Sequence, residues 1–188
     1  FYMGQALCIR AYLYFQIIRL WGDAPLVLEY EDISEKGRTP WREIAGHIVA
    51  DLLLAAEYLP PADQLKDSEG KPLTARQIPG RGTAYAILAE VYAWIAGYGQ
   101  EPEYYALGIE AAGKVIGDPN YRLVASPEEV CTEVLPGNSE EGIFEVCYDD
   151  SRGEYKDFGS YIAGTLEKWP GLKGTTPASR RKFFIRNE

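Results

Sequence analysis

Apolar residues in the first 21 positions recur at alternating steps of three and four: Met3, Leu7, Tyr14, Ile17 and Trp21, with Ala6, Leu13 and Leu20 alongside. That spacing predicts a helix over residues 1–21 with a wide apolar face. Arg10 falls on the same stripe, so its guanidinium needs a carboxylate or carbonyls. Gly22-Asp23 stops the helix and Pro25 prevents its resumption. After the extended-looking Leu26-Val27-Leu28 comes a polar connection to residue 38. Thr39-Pro40 then reads as an N-cap followed by proline at the first helical position.

A second helix is predicted over 41–59, with Ile44, Ile48, Leu52, Ala55 and Leu59 on one face and Pro60-Pro61 ending it. Residues 62–80 are polar, with turn signals at Ser68-Glu69-Gly70 and Pro79-Gly80. A third helix over 82–98 has Glu90 as its one acid and apolar residues on nearly every side, so it is expected to be the most buried element. A fourth, over 102–116, shows Tyr105, Ile109, Ala112 and Ile116 before Gly117-Asp118-Pro119 breaks it. The pattern then changes. Ile143 to Tyr148 is the best strand candidate, and a Gly-, Tyr- and Lys-rich loop follows to about Thr176.

A repeat underlies the helices. Ala11-x-x-Tyr14 in the first recurs as Ala89-x-x-Tyr92 in the third, each followed by a helix ending in proline. A small residue and a tyrosine at this spacing mark the tetratricopeptide (TPR) hairpin, in which the small residue lets paired helices touch and the ring fills the gap. The period is stretched far beyond the usual ~34 residues because 22–40 and 60–80 are inserted. The expectation is a mainly all-α fold of two TPR-like hairpins with long loops. Residues 1–142 form its helical region and 143–188 a short strand and loop-rich part of the same domain.

Charge sharpens this division. The chain of 188 residues has 19 Lys+Arg against 28 Asp+Glu, a net of −9. Residues 151–188 hold eight basic residues and four acids, a net of +4, leaving −13 on the first 150. So acidic a surface repels phosphate backbones, which argues against a nucleic-acid partner. No membrane span is read: Arg10 and Arg19 break the run from Ala6 to Trp21, and Asp51 interrupts Ile48 to Leu59. No signal peptide is visible, and the chain reads as an internal segment of a longer polypeptide.

Catalytic and metal chemistry find little support. His47 is the single histidine and stands at no diagnostic spacing from a Ser or Cys, so it reads as a helix-surface residue. A pair of carboxylates for glycoside hydrolysis is not picked out by any motif and stays a runner-up. Gly80-Arg81-Gly82 lacks the Lys-Ser/Thr of a phosphate loop and reads as the entry to the third helix. Cys8 is expected to be a buried free thiol. Cys131 and Cys147 are left open as a pair. With one histidine and no CxxC, structural zinc is not expected. Asp149, Asp150, Glu154 and Asp157 offer hard oxygens for Ca²⁺ but not in EF-hand order, so a solvated acidic turn is preferred and no cofactor is expected.

The loop after the strand is the better binding candidate. Tyr148, Tyr155, Tyr161 and Trp169 are interspersed with Asp149, Asp150, Arg152 and Lys168 on glycine-rich backbone. Sugars are held by a ring against their apolar CH face and by planar polar groups at their hydroxyls, and this loop supplies both. Trp21, Trp41 and Trp94 fall within helices and read as core rather than ligand residues.

The run from Arg10 to Val27, RAYLYFQIIRLWGDAPLV, resembles the best-marked segment of the SusD/RagB family, which reads much like R-A-x-x-Y-F-x-L-V-R-x-F/W-G-D-x-P-L. The order that follows is similar too: Ile48, Asp51-Leu52 and Leu59-Pro60; then Gly80-Arg81-Gly82-Thr83; then Ala106-Leu107, Ala112 and Lys114-Val115-Ile116; then Glu141 and Ile143 to Val146. The resemblance covers residues 4–148. It implies a TPR-like, non-enzymatic lipoprotein on the outer face of a Bacteroidetes outer membrane. Such proteins bind oligosaccharides, or peptides in some members, and cover a SusC-like TonB-dependent transporter. Their lipidated cysteine precedes this chain, since Cys8 stands mid-helix. The competing expectation is a TPR-type protein-interaction scaffold without a small ligand.

Overall fold

The computed structural model describes residues 1–146, apart from Tyr30, Ile33, Ser68, Thr74, Ala75, Leu135, Pro136 and Asn138. Four helices dominate it: α1 (Tyr2–Trp21), α2 (Trp41–Tyr58), α3 (Arg81–Tyr98) and α4 (Tyr104–Ile116). α1 packs on α2 and α3 on α4, with α2 against α3 joining the two hairpins. This is the mainly helical, TPR-like arrangement expected from the repeat. Residues 1–145 form one unit of the chain.

α2 buries the face its periodicity marks. Ile44, Ile48, Leu52, Ala55 and the capping Leu59 are all 1% exposed or less. α3 is buried along Ala84, Ile87, Leu88, Val91, Tyr92 and Ile95, as its composition requires. Together with Phe15 and Ile18 of α1 these residues make one continuous core. Burial of this apolar surface is the main force holding the helices together.

The buried face of α1 is turned about one residue from the stripe read in the sequence. Gly4, Leu7, Cys8, Ala11, Phe15 and Ile18 point inward, while Met3 and Trp21 are 62% and 66% exposed. Small residues decide this rotation. A Cβ on Gly4 would stand 2.9 Å from Leu59 Cγ, so only glycine lets the end of α2 come this close. In the second hairpin Gly108 lies under the backbone of α3, 3.4 Å from the Ala89 carbonyl for a Cβ built there.

α4 departs further from expectation. Its buried residues are Gly108, Ala111 and Val115, whereas Ile109 and Ile116 are 74% and 84% exposed and Tyr105 is half exposed. The apolar stripe Tyr105, Ile109, Ile116 faces away from α3, and the face turned inward carries the smaller Gly108, Ala111 and Val115.

Two local readings are also corrected. Thr39 does not cap α2. Its backbone pairs with Ala24 in an antiparallel bridge, and Asp23 Oδ1 accepts the hydrogen bond from the Trp41 N–H at 2.9 Å. Ile143 to Val146 form no strand, since no neighbouring strand is available among the described residues. Instead Glu145 N–H bonds the Arg76 carbonyl at 2.9 Å, and Thr83 Oγ1 donates to the Ile143 carbonyl at 3.3 Å.

Candidate functional site

The residues expected to hold a sugar, Tyr148, Asp149, Asp150, Arg152, Tyr155, Tyr161 and Trp169, all lie outside the described residues. So do the Ca²⁺ candidates Glu154 and Asp157, and Cys147 of the open cysteine pair. The helical unit that precedes them in the chain is described, with two inserted loops fixed to it.

The first loop, residues 22–40, is fixed by side chains from α1 and α2. Gly22 ends α1 at φ 68°, a left-handed conformation that glycine adopts without strain. Asp23 then caps α2, and the Ala24–Thr39 bridge closes the base of the loop. Arg10 reaches from α1 to Asp51 of α2 with two bonds, Nε to Oδ2 at 2.7 Å and Nη2 to Oδ1 at 2.8 Å. Its Nη1 donates to the Leu28 carbonyl at 3.2 Å. The guanidinium on the apolar stripe thus finds both the carboxylate and the carbonyl that its position demands. Bonding to Asp51 holds its pKa above the ordinary arginine value, against partial burial. One turn on, the Tyr14 hydroxyl accepts from Val27 N–H at 2.7 Å and donates to the Val27 carbonyl at 3.1 Å.

Tyr14 and Tyr92 occupy matching places in the repeat yet do different work. Tyr92 is buried in the core, where burial foremost pushes its hydroxyl pKa up. Tyr14 is spent on the backbone of the loop. Sequence reasoning does not find the second role, because the acceptor is a main-chain group that leaves no trace in residue type.

The second loop, residues 60–80, leads into α3 through Gly80-Arg81-Gly82. This segment acts as a helix entry, as read from the sequence. Gly80 N–H donates to Thr83 Oγ1 at 3.2 Å, and Arg81 bonds back to α2 through N–H to the Pro60 carbonyl and Nε to the Leu59 carbonyl. A Cβ on Gly82 would meet the Tyr121 ring at 2.4 Å. Arg76 stacks over the other side of this region, its Cζ 5.0 Å from the Tyr121 ring centre. Burial raises the Tyr121 pKa, with Asp118 adding and Arg76 opposing. A cavity of about 620 Å³ opens beside the loop, lined by residues including Tyr58, Pro60, Gln64, Lys66, Asp67 and Arg81.

The helical tryptophans form a cluster. Trp94 meets Phe15 and Trp41 edge to face at 5.9 and 5.0 Å, and it stacks on Tyr98 at 4.7 Å. Trp41 and Trp94 pack against the core, as the sequence suggests. Trp21 does not; it stands at the exposed end of α1. Cys8 is a free thiol, 1% exposed, and burial pushes its pKa up to about 12. A thiol so placed is a poor nucleophile.

Comparison with known proteins follows the same segments. Residues 2–93 match the family model SusD-like_3, described as starch-binding associating with outer membrane. SusD-like protein P2 of Formosa agariphila is 35% identical over 93 residues, which make 47% of this chain and 16% of that protein. A SusD superfamily structure from Parabacteroides distasonis superposes with a TM-score of 0.65 at 27% identity, covering 79% of this chain and 30% of that one. One from Bacteroides vulgatus gives 0.65 at 25% identity, covering 87% and 32%. The chain therefore spans under a third of either structure and about a sixth of the curated relative.

Proposed function

Because this chain belongs to the SusD/RagB family, we propose that it is part of a non-enzymatic protein that captures oligosaccharides or polysaccharides at the bacterial surface. The observation that carries this reading is the family match over α1 to α3, whose description is starch binding in association with the outer membrane. The captured glycan passes to a SusC-like TonB-dependent transporter, and a lipid outside this chain attaches the protein to the outer leaflet. No helix among the described residues is long and apolar enough to cross a membrane. The segment 148–169 supplies the rings and planar polar groups, with Trp169 the principal platform and Tyr148, Tyr155, Tyr161, Asp149, Asp150 and Arg152 around it.

Affinity electrophoresis tests this reading. The full-length protein and its Trp169→Ala variant are run through gels containing a panel of polysaccharides. Retardation by one polymer, lost in the variant, is the expected result. Absence of retardation by every polymer favours a peptide ligand or a scaffold.

The scaffold reading has one observation in its favour, the exposed apolar stripe Tyr105, Ile109, Ile116 on α4. It predicts that no polysaccharide retards the wild type and that Ile109→Lys with Ile116→Lys abolishes co-purification with a protein partner.

A further inference from the structure

A groove of about 300 Å³ runs between the start of α2, the end of α3 and the start of α4. Its floor is Ala45, Val49 and Ile95, and its walls are Trp41, Arg42, Glu101 and Tyr104. Volume and mixed lining both suit a small ligand with one apolar face and several polar groups.

Three features of the groove are not accounted for by packing. Arg42 donates from Nε to Glu101 Oε1 at 2.9 Å and from Nη2 to the Gly99 carbonyl at 3.0 Å, with its Cζ 4.5 Å over the Trp41 ring. A guanidinium has five N–H donors, so three are left without a partner among the described residues. Gln100, beside them, has φ 59°, a left-handed conformation that residues other than glycine seldom adopt. This turn brings Glu101 back over α2. Gly46, in the middle of α2, is exposed, and a Cβ there would meet nothing within 4 Å. Glycine inside a helix is less favourable than alanine, and here no neighbour requires it. What it does is keep the groove open.

We propose that this groove is a second glycan subsite that holds one pyranose ring. The CH face of the sugar lies on Tyr104 and the apolar floor, and vicinal hydroxyls bridge Arg42, as donor, and Glu101, as acceptor. A guanidinium and a carboxylate fixed side by side match adjacent hydroxyls, each of which both gives and accepts a hydrogen bond. The inference rests on the glycan-binding reading and adds a contact site on the helical frame itself. Two weak sites on one polymer chain raise its retention well above either alone.

The test measures retardation against polymer concentration for the full-length protein in gels of starch, xylan, galactomannan and laminarin. Arg42→Met and Glu101→Gln are expected to weaken affinity for the retarding polymer about fivefold each, the size of one or two lost hydrogen bonds. Gly46→Phe fills the groove without removing any contact and is expected to weaken affinity at least as much, with a Tm no lower than wild type. If the wild type is retarded and all three variants migrate with it, the subsite is overturned while glycan capture stands. If no polymer retards the wild type, the glycan reading fails and the subsite falls with it.

Discussion

Arg10 of α1 and Asp51 of α2 meet across 41 residues of sequence in a two-bond pair at 2.7 and 2.8 Å. Their side chains are 34% and 15% exposed, so the pair is shielded enough to matter and lies where the first loop leaves the bundle. Arg10→Met and Asp51→Asn are each expected to lower stability by about 2 kcal/mol. The double variant is expected to lose about 1–2 kcal/mol less than the sum. Urea unfolding of the four proteins measures this, and simple additivity would show that the two groups do not interact.

Tyr14 packs its ring against the core, and its hydroxyl bonds Val27, accepting from its N–H and donating to its carbonyl. Tyr14→Phe keeps the ring and removes both bonds. The expected cost is about 1 kcal/mol, and hydrogen exchange is expected to quicken at Val27 and its neighbours. Exchange in the centre of α2 is expected to stay unchanged. Acceleration spread evenly over α1 and α2 would instead show that the hydroxyl supports the whole helix pair and not the loop.

At Gly82, a methyl group has no room: the Tyr121 ring lies 2.4 Å from where a Cβ would stand. Gly82→Ala is expected to cost about 1–3 kcal/mol by overpacking. In a Tyr121→Ala background the same substitution is expected to be neutral or slightly stabilising, since alanine is the better helix former. Thermal unfolding of the two pairs decides it.

The two faces of α4 are expected to answer differently to substitution in this chain. Ile109→Lys, on the exposed side, changes stability by no more than about 0.5 kcal/mol. Val115→Ala, on the buried side, costs about 1 kcal/mol or more. Equilibrium unfolding compares them, and a large loss at Ile109 would reveal a surface that covers the stripe.

How far the sequence reaches is clearest along α1. Its extent, its stop at Gly22 and the demand of Arg10 for a carboxylate are all legible there, because they follow from period and from the chemistry of one side chain. Its rotation is not. The apolar period of α1 fits two adjacent stripes about equally well, and Gly4 and Ala11 choose between them only once α2 is in place. The same holds for α4, where the more apolar stripe is left outside and Gly108, Ala111 and Val115 face inward, a choice that the period of α4 alone does not make. Asp23 as the cap of α2 is hidden for a similar reason: it lies 18 residues from Trp41, beyond the reach of any local capping pattern. Of the sugar-binding segment, only its composition speaks, since residues 148–169 lie outside the described structure.

Cys8 supplies a pH dependence. Its thiol is neutral in the folded chain up to about pH 12, whereas the unfolded chain ionises near the ordinary value of 9.0. The unfolded state therefore holds fewer protons between these values, and stability is expected to fall as pH rises from about 9 to 12. Below pH 9 this contribution is fully present. Urea midpoints of wild type and Cys8→Ala across pH 8–10.5 are expected to diverge less at the alkaline end, because the alanine variant lacks the titrating group. At pH 8, iodoacetamide followed by peptide mapping is expected to leave Cys8 unmodified until denaturant is added.

The Ala24–Thr39 bridge closes residues 25–38 at their base, while Asp23 hands the chain directly to α2. What lies inside that closure is tied to α1 only where it begins among the described residues, Val27 through Tyr14 and Leu28 through Arg10. Doubling the length of such a loop adds only about 0.6 kcal/mol of closure entropy, and the bridge keeps the extra chain from prising α1 and α2 apart. The insert is thus a socket: new sequence placed near Glu35 changes what the surface presents without renegotiating the fold beneath it.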